Sequence, residues 1–341
     1  MSDGVEFSHI PVMTKEILCA FEPVSEGIYI DATFGAGGHS KALLDNGAAE
    51  IFAIDRDPHA VIGAQTMIEE SDNRLCVLQG CFGELSEILP LPLMERGVRG
   101  ILFDLGVSSM QLDESERGFS YQAESKLDMR MGNEGRSAFD LVNRASENDL
   151  TEIFRSYGEE RHAKRVAQSI IRERKKDPIE KCNHLAQIIA RALPKNKASS
   201  RHPATRCFQA LRIVVNNELL ELARGLVAAS ALLKPEGILA VISFHSLEDR
   251  LVKGFFFNGL QKRILGIPSL SDENSSRNKS VFCSLTRKPI YPSAKEVAQN
   301  NRARSASLRI ATRIAGEAPV LDKELESYLD TERFFQSHRK R

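Results

Sequence analysis

Hydrophobic residues in the first hundred positions fall into short, nearly continuous runs separated by longer mixed segments. Ile28–Thr33 (IYIDAT), Ile51–Asp55 (IFAID), Leu75–Leu78 (LCVL) and Ile101–Leu105 (ILFDL) are each rich in Ile, Val, Leu or Phe. Runs of this kind, without polar alternation, suit strands buried on both faces of a parallel sheet. The segments between them, 15 to 25 residues long, have room for crossover helices, so the pattern predicts repeated βαβ units. A fifth strand is predicted at Ile238–Phe244 (ILAVISF), behind a Pro-Glu-Gly turn at Pro235–Gly237 and a gap of more than 130 residues. Two more, Val281–Thr286 and Ser307–Thr312, flank a Pro-containing loop. The expected class is α/β, a mostly parallel Rossmann-like sheet.

The gap reads as helix. Ala163, Val166, Ala167, Ile170 and Ile171 recur at i, i+3, i+4, i+7, i+8, the stripe of an amphipathic helix. Leu185, Ile188, Ile189, Ala192 and Leu193 repeat that spacing, and Phe208, Leu211, Val215, Leu219 and Leu222 extend another such face. The chain therefore divides into a sheet-forming part over 1–111, an inserted helical domain over 112–206 and a second sheet-forming part over 207–315. A charged C-terminal tail over 316–341 has no place in the sheet.

Composition adds limits. With 42% hydrophobic and 27% charged residues and no Trp, the chain is globular, and 341 residues suit one large domain carrying a smaller unit. No run approaches the roughly 18 to 20 apolar residues that cross a bilayer, and the acidic start Met1–Glu6 lacks a secretory pattern. A cytoplasmic protein without a membrane partner is expected. None of the six cysteines forms a Cys-x-x-Cys pair, so they read as scattered thiols and no metal is expected. Net charge is zero, yet residues 1–160 hold 12 Lys/Arg against 29 Asp/Glu and residues 161–341 hold 34 against 17. That asymmetry points to one polyanion-facing surface.

The segment Ile30-Asp-Ala-Thr-Phe-Gly-Ala-Gly-Gly-His39 takes an apolar strand through an acid into a glycine-rich turn before a helix. Glycines there let the backbone take positive φ and approach a ligand, with a helix N-terminus facing it. Asp55 closes the next strand, where a carboxylate can accept both ribose hydroxyls of an adenosine. Dinucleotide, flavin and S-adenosyl-L-methionine sites share this geometry. A dinucleotide fingerprint wants Gly-x-Gly-x-x-Gly around a pyrophosphate, but here Gly38 follows Gly37 directly and Ser40 stands at the third glycine's place. Asp31, Asp55 and Asp104, all at or near strand ends, make an acidic rim that suits a sulfonium better than a phosphate, which favours the methyl donor over NAD. Asp104 ends the fourth strand. It is a candidate proton acceptor for amine methylation, or else a residue that holds the methionine end of the cofactor.

The landmarks Tyr29–Ser40, Ala53–Pro58, Leu105–Ser109, Gln111–Asp113, Glu116–Ser120, Leu127–Met131, Tyr157–Arg161, His202–Arg206, Phe208–Ile213 and Ser243–Arg250, in this order, resemble a known family. It is the ribosomal RNA small subunit methyltransferase H family of bacterial N4-cytidine enzymes. The resemblance implies a class I S-adenosylmethionine-dependent methyltransferase sheet with an inserted helical domain that recognises substrate. It implies cofactor contacts from Gly37, Gly38 and His39, with Asp55 on the ribose, Phe82 beside the adenine, and Asp104 and Gln111 completing the pocket. The implied target is a cytidine in the decoding region of 16S ribosomal RNA, within the small ribosomal subunit. Two positions depart from the family: Cys207 replaces a usual Thr, and Asn300-Asn-Arg-Ala-Arg304 replaces Asn-Pro-Arg-Ala-Arg, leaving that loop's conformation open.

Basic residues supply the RNA side. The segment 161–176 carries Arg161, Lys164, Arg165, Arg172, Arg174, Lys175 and Lys176 against Glu173 alone. Lys195, Lys197, Arg201, Arg206 and Arg212 make a second cluster, and Arg302, Arg304, Arg309 and Arg313 a third. Such cations bind phosphate independently of sequence, although any one cluster equally suits a solvated helix face. Phe119, His202, Arg206 and His245 are candidates to stack on or hydrogen-bond an unstacked cytosine. His202 before Pro203 also reads as the start of a helix, and His245 as a polar residue closing the fifth strand. Other readings are a methyltransferase for a DNA amine or a small metabolite, or a non-catalytic RNA-binding assembly factor. A helical insertion of this size leaves room for a homodimer.

Overall fold

The structure, a computed structural model, describes residues 11–25, 27–108, 111, 114–122, 124–194, 202–258 and 280–336. Each predicted strand forms: β1 (Ile28–Asp31), β2 (Glu50–Asp55), β3 (Leu75–Gln79), β4 (Val98–Asp104), β5 (Leu233–Ser243), β6 (Phe282–Ser284) and β7 (Ser307–Arg313). They lie in one sheet ordered β3-β2-β1-β4-β5-β7-β6. The first five run parallel, and β7 is reversed between β5 and β6. Tyr29, Ile54, Ile101, Phe103, Val241 and Ile242 are fully buried, as the continuous apolar runs of a sheet covered on both faces require.

The predicted turn at Pro235–Gly237 lies within β5 rather than before it. Leu233 pairs with Val98 while Ile238 pairs with Gly100, so the residues between them bulge out of the ladder, with Glu236 at φ 69°. Strand order reverses at β1, whose Asp31 is paired with Ala53 of β2 on one side and Leu102 of β4 on the other. In open α/β sheets ligands bind beyond the strand C-termini at this switch point. Asp31 and Asp104 end the two strands that border it, and Asp55 ends the next strand out.

Around the sheet run α1 (Thr14–Phe21), α2 (Gly38–Asp45), α3 (Pro58–Gly63), α4 (Gln65–Glu70), α5 (Leu85–Ile88) and α6 (Leu91–Arg96). The chain then builds a second unit. Two compact units are distinguished: Met1–Ser109 with Glu221–Leu325, and Met110–Leu220 with Glu326–Arg341. The second contains α7 (Ala138–Arg144), α8 (Glu147–Ser156), α9 (Ala163–Arg174), α10 (Cys182–Ala192) and α11 (Thr205–Asn216). Ser137 with Asp140 and Ser146 with Asp149 form capping boxes that start α7 and α8. The predicted stripes are the buried faces: Val166, Ala167 and Ile170 on α9, and Leu185, Ile188 and Ile189 on α10.

The helical spacing pattern places the end of the insertion at residue 206, whereas the compact helical unit runs to Leu220. The reason is α11, whose Asn216 accepts the Met131 N–H at 2.8 Å and donates to the Met129 carbonyl at 2.7 Å. That buried amide pins the Leu127–Met131 loop. From there α12 (Glu218–Leu232) leads back to β5, and α13 (Ser246–Asn258) and α14 (Ala294–Gln299) follow. The charged C-terminal segment forms α15 (Lys323–Leu329) and α16 (Arg333–Gln336). Its Phe334 meets Tyr157 edge-on with ring centroids 6.1 Å apart, and Thr331 donates to the Val214 carbonyl at 2.8 Å. No helix among the described residues is long and apolar enough to cross a membrane.

Candidate functional site

The glycine turn and the second strand's terminal acid are one structure. Gly35 N–H donates to Asp55 Oδ2 at 2.7 Å, and Asp57 N–H donates to Oδ1 at 2.8 Å. Gly37 caps α2 at φ 77°, where a Cβ would be strained and would stand 2.7 Å from Phe34 and Met67 side-chain atoms. A Cβ on Gly38 would come within 2.9 Å of Pro11. The cradle therefore requires glycine at both positions. Burial pushes the Asp55 carboxyl up to about 6, against the pull of its two N–H donors.

A second group gathers at the tips of β1 and β4. Asp31 is fully buried and accepts from Ser40 Oγ at 2.7 Å and from Thr33 N–H at 3.2 Å. Burial raises its pKa, while His39, Ser40 and Thr33 oppose the rise. Thr33 Oγ1 in turn accepts the Asp104 N–H at 2.7 Å, which ties the two strand ends together. Asp104 Oδ2 lies 3.4 Å from Nε2 of His39, a side chain only 5% exposed. Asp104 Oδ1 is buried and, among the described residues, has no hydrogen-bond partner. Sequence reading missed Thr33 and the work of Ser40. The departure from a third glycine at Ser40 was their signal: the hydroxyl satisfies a buried carboxylate that glycine would leave short of a donor.

Phe82 follows β3 in a turn that begins beside Asp55, since Gly80 N–H donates to the Asp55 carbonyl at 2.9 Å. Its ring meets Phe103 edge-on at 5.4 Å, and Gly225 of α12 packs against both rings. The structure thus brings Gly37, Gly38, His39, Asp55, Phe82 and Asp104 together at the sheet's C-terminal edge within one unit. Gln111 is buried in the helical unit.

The residues proposed for RNA fare unequally. Lys164, Arg165 and Arg172 are exposed on α9, whereas Arg174 turns inward to the Val142 carbonyl at 2.7 Å. Lys195, Lys197 and Arg201 lie outside the described residues. Arg206 is exposed and donates to the Glu159 carbonyl at 3.2 Å, and Arg212 is paired with Glu218 at 2.7 Å. The third cluster is corrected to two residues. Arg302 and Arg304 are exposed, but Arg309 is held by both oxygens of Asp249 at 2.7 and 2.9 Å, and Arg313 donates to the Ser230 carbonyl at 2.8 Å. Both sit in β7, an internal strand, where a guanidinium must find its acceptors within the protein. The loop that lacks the family's proline is held by Asn300, whose side chain accepts Arg302 N–H at 3.1 Å. Cys207 is buried, and burial raises its thiol pKa.

Among candidate base contacts, Phe119 is half-buried. His202 accepts Ala204 N–H on Nδ1 at 3.2 Å at the start of α11, and its ring stacks on Tyr121 at 4.5 Å with planes 12° apart. Tyr121 was missed because nothing in its local pattern marks it. His245 is engaged in capping α13: its Nδ1 accepts Glu248 N–H at 3.3 Å, while the Glu248 carboxylate takes the Phe244 N–H at 2.8 Å. That favours the strand-closing role over base contact.

Comparison with known proteins adds an independent line. Residues 6–314 match the MraW methylase family. A relative from Chelativorans sp. (strain BNC1), named ribosomal RNA small subunit methyltransferase H, is 46% identical over 324 residues, 94% of this chain and 92% of its own. A protein of the same name from Cereibacter sphaeroides is 45% identical over 317 residues, 93% of each chain.

Proposed function

The chain belongs to the MraW methylase family of S-adenosylmethionine-dependent methyltransferases, and from that premise we propose that it methylates N4 of a cytidine in the decoding region of 16S ribosomal RNA. The sheet, with β7 reversed between β5 and β6, is that of a class I methyltransferase. The residues present fit the cofactor on grounds of their own. The Gly37–Gly38 cradle excludes side chains, Asp55 offers a carboxylate to the ribose, Phe82 offers a ring for adenine, and Asp31 and Asp104 supply negative charge for a cationic ligand.

When bound, S-adenosylmethionine supplies an electrophilic methyl group on a sulfonium, whose carbon–sulfur electron pair returns to sulfur on transfer. Asp104 has a buried oxygen with no hydrogen-bond partner among the described residues at the tip of β4, and this observation carries the proposal. An acceptor left unsatisfied in a buried crevice invites a donor, and an exocyclic amine is one. Asp104 accepts the N4–H, aims the nitrogen lone pair at the methyl carbon and takes the proton as the N–C bond forms. The helical unit offers exposed Lys164, Arg165, Arg172 and Arg206 to RNA phosphates, and Phe119 and His202, the latter stacked on Tyr121, as ring surfaces for RNA bases. This activity belongs in the cytoplasm, where the small subunit is assembled.

The test is nucleoside mass spectrometry of 16S ribosomal RNA from cells lacking this protein. An N4-methylated cytidine should be missing and should return with the wild-type chain but not with Asp104→Asn. An unchanged methylcytidine content in the deleted strain would refute the assignment.

A further inference from the structure

His39 stands out because its imidazole is buried, ionisable and set beside a strand-end carboxylate. The side chain is 5% exposed, and neither ring nitrogen has a hydrogen-bond partner among the described residues. Nε2 lies 3.4 Å from Asp104 Oδ2, close enough for strong electrostatic attraction but too far for a well-formed hydrogen bond. His39 is also in the first turn of α2, where the helix dipole disfavours positive charge. A buried imidazole at such a position needs a compensating reason. The groups around it provide one: Asp104 from β4 and Asp31 from β1 both act on the ring, and Asp31 in turn acts on Asp55 of β2. Burial works against the charged ring, but Asp104, then Asp31, outweigh it and raise the pKa of His39 from its ordinary value.

We propose that His39 is a positioning residue for Asp104: its buried ring fixes the direction of that carboxylate toward the acceptor nitrogen and offsets the charge of the paired strand-end acids. The inference rests on Asp104 being the proton acceptor. It departs from a role for the His39 side chain as a direct cofactor ligand.

Three measurements on the full-length protein decide it. Calorimetry should find that His39→Gln leaves the Kd for S-adenosylmethionine within about threefold, while turnover at saturating cofactor and RNA falls about tenfold or more. In an Asp104→Asn background, adding His39→Gln should change the residual turnover less than about twofold, since the ring acts through a carboxylate that is gone. NMR of histidine-labelled protein should show the His39 ring titrating above about 6.5, and Asp104→Asn should lower that midpoint. If His39→Gln weakens cofactor binding but keeps turnover at saturation, the ring is a cofactor ligand and the inference fails. Equal losses in both backgrounds also overturn it. Full turnover by Asp104→Asn alone would remove the proton-acceptor reading first, an outcome distinct from either. Should His39→Gln not fold, His39→Asn and the titration comparison carry the test.

Discussion

At Asp55 one carboxylate braces the glycine turn at the C-terminal edge of the sheet. The Gly35 and Asp57 N–H groups at 2.7 and 2.8 Å occupy one lone pair on each oxygen and leave others for hydroxyl donors. Its folded pKa, about 6, lies above the ordinary aspartate value. The native state therefore holds this proton more tightly than the unfolded chain, and the group's contribution to stability falls as pH rises through that window. Ribose binding at Asp55, as the proposed function has it, carries the opposite sign, because only the ionised carboxylate accepts two hydroxyls. Calorimetry should show affinity for S-adenosylmethionine falling about tenfold from pH 7 to pH 5, and Asp55→Asn should flatten that dependence. At Gly37 a methyl group would meet Phe34 and Met67, so Gly37→Ala should raise the cofactor Kd at least about tenfold with a smaller loss of stability. The turn, Asp55 and Asp104 were all legible in the sequence because each is a chemical type at a strand boundary. The Asp31–Ser40 and Asp104–Thr33 bonds were not, because they join residues by geometry that spacing does not encode.

At the scale of elements, β7 separates two kinds of arginine that look alike in a string of letters. Arg302 and Arg304 precede the strand and are exposed, while Arg309 and Arg313 lie within it and bond to acceptors inside the protein. Asp249→Ala would leave the Arg309 guanidinium buried without its carboxylate, at a cost of about 3–5 kcal/mol that thermal unfolding should register. Helix α9 behaves otherwise. Lys164→Ala with Arg165→Ala should leave the melting temperature almost unchanged and weaken RNA binding. The slope of log affinity against log salt should become shallower by about 0.7–0.9 for each phosphate no longer neutralised, as filter binding across salt concentrations would show. Strand and helix positions were readable because continuous apolar runs and the 3.6-residue stripe arise from burial itself. The bulge in β5 was not, since a Pro-Glu-Gly turn looks the same whether it precedes a strand or interrupts its ladder.

Over the whole molecule, charge and fold divide the chain differently. The acidic and basic halves meet near residue 160, within the helical unit of Met110–Leu220, and that unit also recruits Glu326–Arg341 from the far end of the chain. Phe334→Ala should therefore destabilise the helical unit by about 3–5 kcal/mol, seen as a lower midpoint in denaturant, although it lies in what composition marks as a charged tail. The amino-acid order alone determined the strands and helices, the glycine cradle with its acids, and the family resemblance, because these depend on local periodicity and on residue types at element ends. Only the tertiary structure decided which arginines face water, where the helical unit ends, and that a buried histidine meets two strand-end carboxylates. Those outcomes depend on which distant segments share a core, and burial and pairing across such distances leave no mark in local sequence.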